Sequence, residues 1–225
     1  MENYLDLLFI LFSYILGSIP FGYLFTRLST KQNILEVGWR KTSGSNVFKN
    51  IGMLQGILTG IFDIGKGYLA VRLAQSFGFS PLAQVLSGVA AVTGHNWSCF
   101  LKFSGGRGIG TFAGAGWALG SRIIGLSLIF PIILAIIWNA SVPTILFLVT
   151  VTFLSSRFNQ FETMGLFGLI SLIPIFIKRL SPIKEIKNAK NKWILIRNRL
   201  IFDDDKIYTK LRIKRLIKKA GWWED

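Results

Sequence analysis

Seven apolar segments, separated by short polar stretches, leave this chain few ways to fold. They run over 4–28, 51–73, 80–101, 108–121, 122–138, 141–156 and 164–177. A helix needs about 20 largely apolar residues to cross a bilayer, and the first three segments meet that length. "GIGTFAGAGWALGS" (108–121) does not, and reads as a glycine-rich half-length helix. The expected fold is all-α: a polytopic membrane protein of about seven transmembrane helices with short half-helices over 1–180, then a basic cytoplasmic tail over 181–225. Gly17 and Pro20 are expected to kink the first span. The opening "MENYLDLLF" is acidic, whereas a cleaved signal peptide opens basic, so the first segment is expected to remain as a span.

Charge selects the partner. Only 16% of the residues are charged, against about 25% in a soluble domain. The net charge is +15, and the stretch from Lys178 onward is the most basic part of the chain. Such a charge suits nucleic acid or an anionic membrane, and the apolar segments decide for the membrane; no nucleic acid is expected. Lys and Arg collect in cytoplasmic loops. Lys31, Arg40, Lys41 and Lys49 share one loop, Lys102 and Arg107 another, and the tail is basic; the opposite loops carry only Arg72, Arg122 and Arg157. The expected placement is the cell's cytoplasmic membrane, with the N-terminus outside and the tail inside. "KIYTKLRIKRLIKKAGWW" in that tail suits an amphipathic helix on anionic lipid, with Trp222 and Trp223 at the interface; a solvated basic tail is the other reading. A single cysteine, Cys99, allows no internal disulfide.

"SGGRGIGT" (104–111) is neither of two familiar phosphate loops. A Walker loop needs Lys before Ser/Thr, and here Gly110 precedes Thr111; a dinucleotide fingerprint needs a preceding strand. Its glycines nevertheless expose backbone N–H groups at the start of a helix, and Arg107 adds a forked cation. That makes an anion site, or else a close turn between packed helices. Asp63 and Lys66 are three apart and share a helix face. Ionisable groups at membrane depth face a partner or a polar cavity, so they form either a self-contained pair or part of a site. His95, the sole histidine, and Asn96 end the third span, as structural residues or as catalysts; one histidine and one distant cysteine give no metal site. "KTSGSN" (41–46) offers Ser43, Ser45 and Asn46 beside Lys41 and Lys49, as polar ligand contacts or as an ordinary loop. The small polar turns at 41–49, 95–108 and 139–141 fall on one expected face of the membrane.

At these residues the chain resembles the bacterial acyl-phosphate:glycerol-3-phosphate acyltransferases, from about Leu7 to Glu185. "GSIPFGYLFTRL" looks like that family's first-helix ending, "DIGKG" like its second-helix motif, and "NASVPT" like its short serine motif. "GHNWSCFLKFSGGRGIGT" is the most specific match. The resemblance implies a seven-helix fold and transfer of an acyl chain from acyl phosphate to the 1-hydroxyl of glycerol 3-phosphate, without a cofactor. Catalysis then rests on positioning and phosphate binding. It implies catalytic roles for Asp63, His95, Asn96 and Ser141. It implies substrate binding by Ser43, Ser45, Asn46, Lys49, Lys66, Gly105, Gly106, Arg107, Gly108 and Glu185. The chain departs from the family pattern at Trp39 (Ser), Lys41 (Asn), Lys49 (Arg), Arg107 (Lys) and Phe176 (Asn), while Arg179 and Glu185 match. Two other functions stand beside this one: a family member repurposed to bind a phosphate-bearing lipid or metabolite, and a transporter using Asp63 and Lys66 as an ion path.

Overall fold

The computed structural model describes residues 2–137 and 141–201, and among them there is no strand. Helices α1 (Glu2–Ser18) and α2 (Phe21–Thr30) divide the first apolar segment. The break falls at Ile19–Pro20, where proline lacks an N–H and disfavours helical geometry in the residue before it. Its exposed carbonyls are met from elsewhere: Ser98 Oγ donates to Ser18 O at 2.6 Å and Lys66 Nζ to Ile19 O at 2.9 Å. The loop expected over 29–50 is more ordered than the sequence suggests. It holds a 3₁₀ turn (Ile34–Glu36) and a short helix, α3 (Gly44–Asn50), because Val47 is fully buried and Phe48 seats over Gly56.

Helix α4 (Met53–Ser76) runs into α5 (Pro81–Asn96), which starts on an Ser80 cap accepting from Ala83 N and a proline in its first turn. Helix α6 (Ile109–Ile137) is two helices joined at Gly120, whose φ of −167° and ψ of 82° are not helical. A Cβ on Gly116 would come within 2.5 Å of Ile124 Cδ1. A straight helix would set residues eight apart about 12 Å along its axis, so the chain folds back at Gly120. The separate segments 108–121 and 122–138 read from the sequence are therefore real. Then follow α7 (Ser141–Arg157), a π turn (Phe161–Gly165), α8 (Leu166–Leu180), α9 (Ile183–Asn188) and α10 (Lys192–Ile201). The amphipathic stretch expected over 206–223 lies outside the described residues.

Phe161–Leu180 is long and apolar enough to cross a bilayer; Tyr4–Thr30 and Ile109–Leu134 match it in length and apolarity but are broken at Ile19–Pro20 and at Gly120, and Val142–Arg157 is apolar but shorter. The other two are different in kind. Helix α4 sets Asp63, Lys66 and Arg72 into its apolar run, and α5 has only 16 residues. The packing is that of a protein dissolved in lipid. Leu8, Phe12, Ile129, Phe130, Phe153 and Ile173 are exposed, while Ser13, Thr59, Ser87, Ser127 and Ser171 are buried. Lipid supplies no hydrophobic drive between helices, so small residues that allow close approach hold them together. A Cβ on Gly67 would come within 2.0 Å of Thr111 O, and one on Gly94 within 2.1 Å of Tyr14 O. These two contacts clamp α4 to α6 and α5 to α1. Phe112 and Phe167 stack at 4.6 Å between centroids, with Phe147 edge-on at 5.4 Å, and fill the core between α6, α7 and α8.

Candidate active site

The buried centre is a chain of three ionisable groups. Lys66 Nζ lies 3.0 Å from Asp63 Oδ1, and His95 Nδ1 lies 3.3 Å from the same oxygen. All three are at most 6% exposed. A buried ion pair holds only if its remaining protons and lone pairs are met. Lys66 spends a second N–H on Ile19 O, at the helix break, and its ammonium lies 5.9 Å from the Phe21 ring centroid. The contact at Asp63 assigns the proton of His95 to Nδ1. The other ring nitrogen faces Gly106, where a Cβ would come within 2.0 Å of Nε2.

The glycine turn is built onto this centre. Gly106 N donates to His95 O at 3.0 Å, and Ser98 N donates to Ser104 O at 3.0 Å. A Cβ on Gly105 would collide with His95 O at 2.3 Å and Asn96 O at 2.6 Å. Gly108 has a φ of 77°, a conformation natural to glycine, and sits against the side-chain oxygen of Asn96. The amide of that fully buried Asn96 donates to Pro174 O at 3.0 Å, so it ties the turn to α8. From these supports Arg107 extends to the Trp39 ring, its guanidinium carbon 5.6 Å from the centroid; Lys49 Nζ lies 5.0 Å from the same centroid. Each such cation–π contact contributes about 0.5–1 kcal/mol. Trp39 thus gathers two cations where the family pattern has a serine.

The rest of the loop is fixed by Asn46. Its Oδ1 accepts from Trp39 N (3.0 Å) and Asn50 Nδ2 (2.9 Å), and its Nδ2 donates to Val37 O (3.1 Å) and Lys41 O (2.8 Å). Asn46 is fully buried with these contacts, so it shapes the loop that carries Lys41. Ser43 and Ser45 pair with each other at 3.3 Å, and no described bond links them to Arg107. Ser141 opens α7, but its side chain lies outside the described residues. Glu185 is half-exposed and binds Arg199. A shallow concavity lined by Tyr23, Arg27, Lys31 and Glu36 includes none of the candidate residues.

Sequence reasoning missed part of the cation set. The Lys41 ammonium is lowered from 10.5 to about 7, first by burial and then by Arg107, Lys178, Arg199 and Arg179. Lys178, Arg179 and Arg199 are at most 6% exposed. Arg179 matched the family pattern in the sequence, but its burial was not legible there; Lys178 ends an apolar helix and Arg199 is one charge in a basic tail, and no local signal marks either as buried.

Apolar helices packed around a buried Asp–Lys–His centre, with a glycine turn anchored on it, define an integral membrane protein of helical class. The model of the family described as "Glycerol-3-phosphate acyltransferase" matches residues 7–189. A glycerol-3-phosphate acyltransferase of Prochlorococcus marinus (strain MIT 9515) is 32% identical over 192 residues, 84% of this chain and 97% of that one. The crystal structure of PlsY (YgiH), an integral membrane glycerol 3-phosphate acyltransferase, matches in its glycerol 3-phosphate form with a TM-score of 0.70 at 24% identity, covering 81% of this chain and 92% of that one. Its lysophosphatidic acid form matches with a TM-score of 0.69 at 23% identity over the same shares. At that identity the two structures show the fold. This chain belongs to the glycerol-3-phosphate acyltransferase family.

Proposed function

We propose that this protein transfers an acyl chain from an acyl phosphate to the 1-hydroxyl of glycerol 3-phosphate, giving lysophosphatidic acid and inorganic phosphate. Family membership supports the reaction. The observation that carries the site is the gathering of Arg107 and Lys49 at the Trp39 ring, 5.6 and 5.0 Å from its centroid, beside the glycine turn, and Lys41 feels the same positive field. Both substrates bear phosphate. Lys41, lowered to about 7 by burial and then by neighbouring cations, is drawn back to its charged form when a phosphate dianion arrives beside it.

In this reading the glycerol hydroxyl oxygen bonds to the acyl carbon, the bond from that carbon to the bridging phosphate oxygen breaks, and the hydroxyl proton leaves to the departing phosphate or to water. The donor is already activated, so holding the two substrates together supplies most of the barrier reduction; well-oriented pairs gain about 7–11 kcal/mol. Neither nitrogen of His95 opens toward a substrate: one meets Asp63 and the other packs on Gly106. Asp63, Lys66, His95 and Asn96 therefore hold the turn, while Arg107, Lys41 and Lys49 with the small residues of both turns meet phosphate. Ser141 would join them from α7. The basic tail beyond 201 would rest on anionic lipid.

One assay tests the reaction: purified protein with palmitoyl phosphate and labelled glycerol 3-phosphate. A charge-assisted contact to phosphate is worth about 1.5–3 kcal/mol, so Arg107→Ala should lower kcat/KM by roughly 10- to 200-fold. Arg107→Lys should restore much of that, since a point charge still meets one oxygen. Parental rates in Arg107→Ala at sub-saturating glycerol 3-phosphate would show that the turn is a connection and not a phosphate site.

The proposed orientation puts the N-terminus outside and the site on the cytoplasmic face of the cell membrane, since the basic loops and the cation cluster share one side. Reporter tags after Arg122 and after Asp225 should then report opposite sides. Tags on one side would contradict it.

A further inference from the structure

One contributor to the cation cluster lies beyond the region that the family model matches. That match ends at residue 189, and α10 spans Lys192–Ile201. Its exposed residues mix Trp193 (81% exposed) and Ile194 (44%) with Lys192 and Arg197; Leu195, Ile196 and Leu200 are half-buried, and Asn198 (3%) and Arg199 (5%) are buried. A solvated basic tail would turn all of its charges to water, so the burial of Arg199 has an internal cause.

Burying a guanidinium is unfavourable unless its N–H groups are met, and the fold meets those of Arg199 at one place. Its Nη1 donates to Leu180 O at 3.0 Å and Pro182 O at 3.1 Å, and its Nη2 bonds the Glu185 carboxylate. Leu180 is the last residue of α8, where carbonyls have no partner within the helix and a cation is favoured. The reverse contact is also made: Arg179 Nη1, from the last turn of α8, donates to Leu200 O at 3.3 Å. Each arginine thus closes the backbone end of the other's helix. The charge of Arg199 also acts on Lys41, from the opposite end of the sequence.

We infer that α10 forms a wall of the anion site, and that Arg199 is a positioning residue for glycerol 3-phosphate, holding in place the end of α8 that carries Lys178 and Arg179. The inference rests on the acyltransferase reading for the identity of the anion. It makes the segment just past the family region part of the working site, whereas a detachable tail would leave the site complete without it.

The test uses the full chain in phosphatidylcholine nanodiscs. Arg199→Gln removes the charge and keeps a polar amide, and Arg199→Lys keeps the charge. Arg199→Gln is expected to raise KM for glycerol 3-phosphate about tenfold, the size of one charge-assisted contact, with kcat within about threefold and the thermal midpoint close to the parent's. Arg199→Lys is expected to bring KM back to within about threefold of the parent. An unchanged KM in Arg199→Gln overturns the inference, as does a loss confined to kcat. Loss of the thermal transition in both variants overturns it too, leaving α10 a purely structural brace. If the parent transfers no acyl group, the acyltransferase reading fails by itself, and the inference is then read from equilibrium titration with labelled glycerol 3-phosphate and inorganic phosphate. Weaker binding by Arg199→Gln supports it; equal binding, or none by the parent, overturns it.

Discussion

Asp63→Ala is expected to lower stability by about 3–5 kcal/mol, the usual result of removing one partner from a buried ion pair, and to abolish acyl transfer with it. The carboxylate is the only described group that meets both Lys66 and His95. Without it the Lys66 ammonium is left against Ile19 O and the Phe21 ring, and the Nδ1–H of His95 points at nothing. Asp63→Asn keeps an acceptor for His95 but strands the Lys66 charge, so it should fall between parent and Ala. Adding Lys66→Met to Asp63→Asn should recover at least half of the lost thermal stability, because no unpaired charge then remains. Thermal unfolding of the purified protein, followed by tryptophan fluorescence, reads all of these. A parental midpoint in Asp63→Ala would mean that the three groups are reached by water and do not hold the fold.

Gly105→Ala separates the site from the fold. The added methyl would sit 2.3 Å from His95 O and 2.6 Å from Asn96 O, both backbone atoms in α5. Neither can rotate away, so the turn must lift by about 1 Å and break the bond from Gly106 N to His95 O. A displacement of that size costs about 10²-fold when a reaction depends on placement. Overpacking of this kind destabilises by about 1–3 kcal/mol, so Gly105→Ala should still insert and fold while losing about 100-fold or more of its transfer rate. Activity within about threefold of the parent, measured with palmitoyl phosphate and glycerol 3-phosphate, would show that the turn does not set the geometry of the reaction. Together the two variants distinguish the support from what it supports: Asp63 acts on stability and rate, Gly105 on rate.

The turn was legible before the structure was known because its chemistry is local. Gly105 through Gly108, the helix that follows and a single Arg lie within one short run of sequence, and the failure of two better-known phosphate loops left an anion site or a close turn between packed helices. The Asp63–Lys66 pair was legible for the same reason, since helical spacing puts residues three apart on one face. What the pair was for could not be read. The sequence allowed a closed structural pair, an ion path or a substrate contact, and the structure gives Lys66 two protein acceptors and gives Asp63 to His95 from another helix. Asn46 shows the limit from the other side. As a residue type it can donate and accept to a polar ligand, but the loop around it takes both capacities for itself.

The sequence by itself determined the solvent and the breaks. Long apolar runs with few charges belong in lipid, and Pro20 and the boundary between 108–121 and 122–138 were marked as breaks by local residues, although Pro131 and Pro174 stay inside helices. Tertiary structure alone decided which charges meet. Lys41, Arg107, Lys178, Arg179 and Arg199 come from a loop, a turn, the end of one helix and a helix past the family region. Electrostatic coupling falls with distance through space and does not depend on separation along the chain, so only the folded chain, with its helices drawn close by glycine contacts, could show that these five form one cluster.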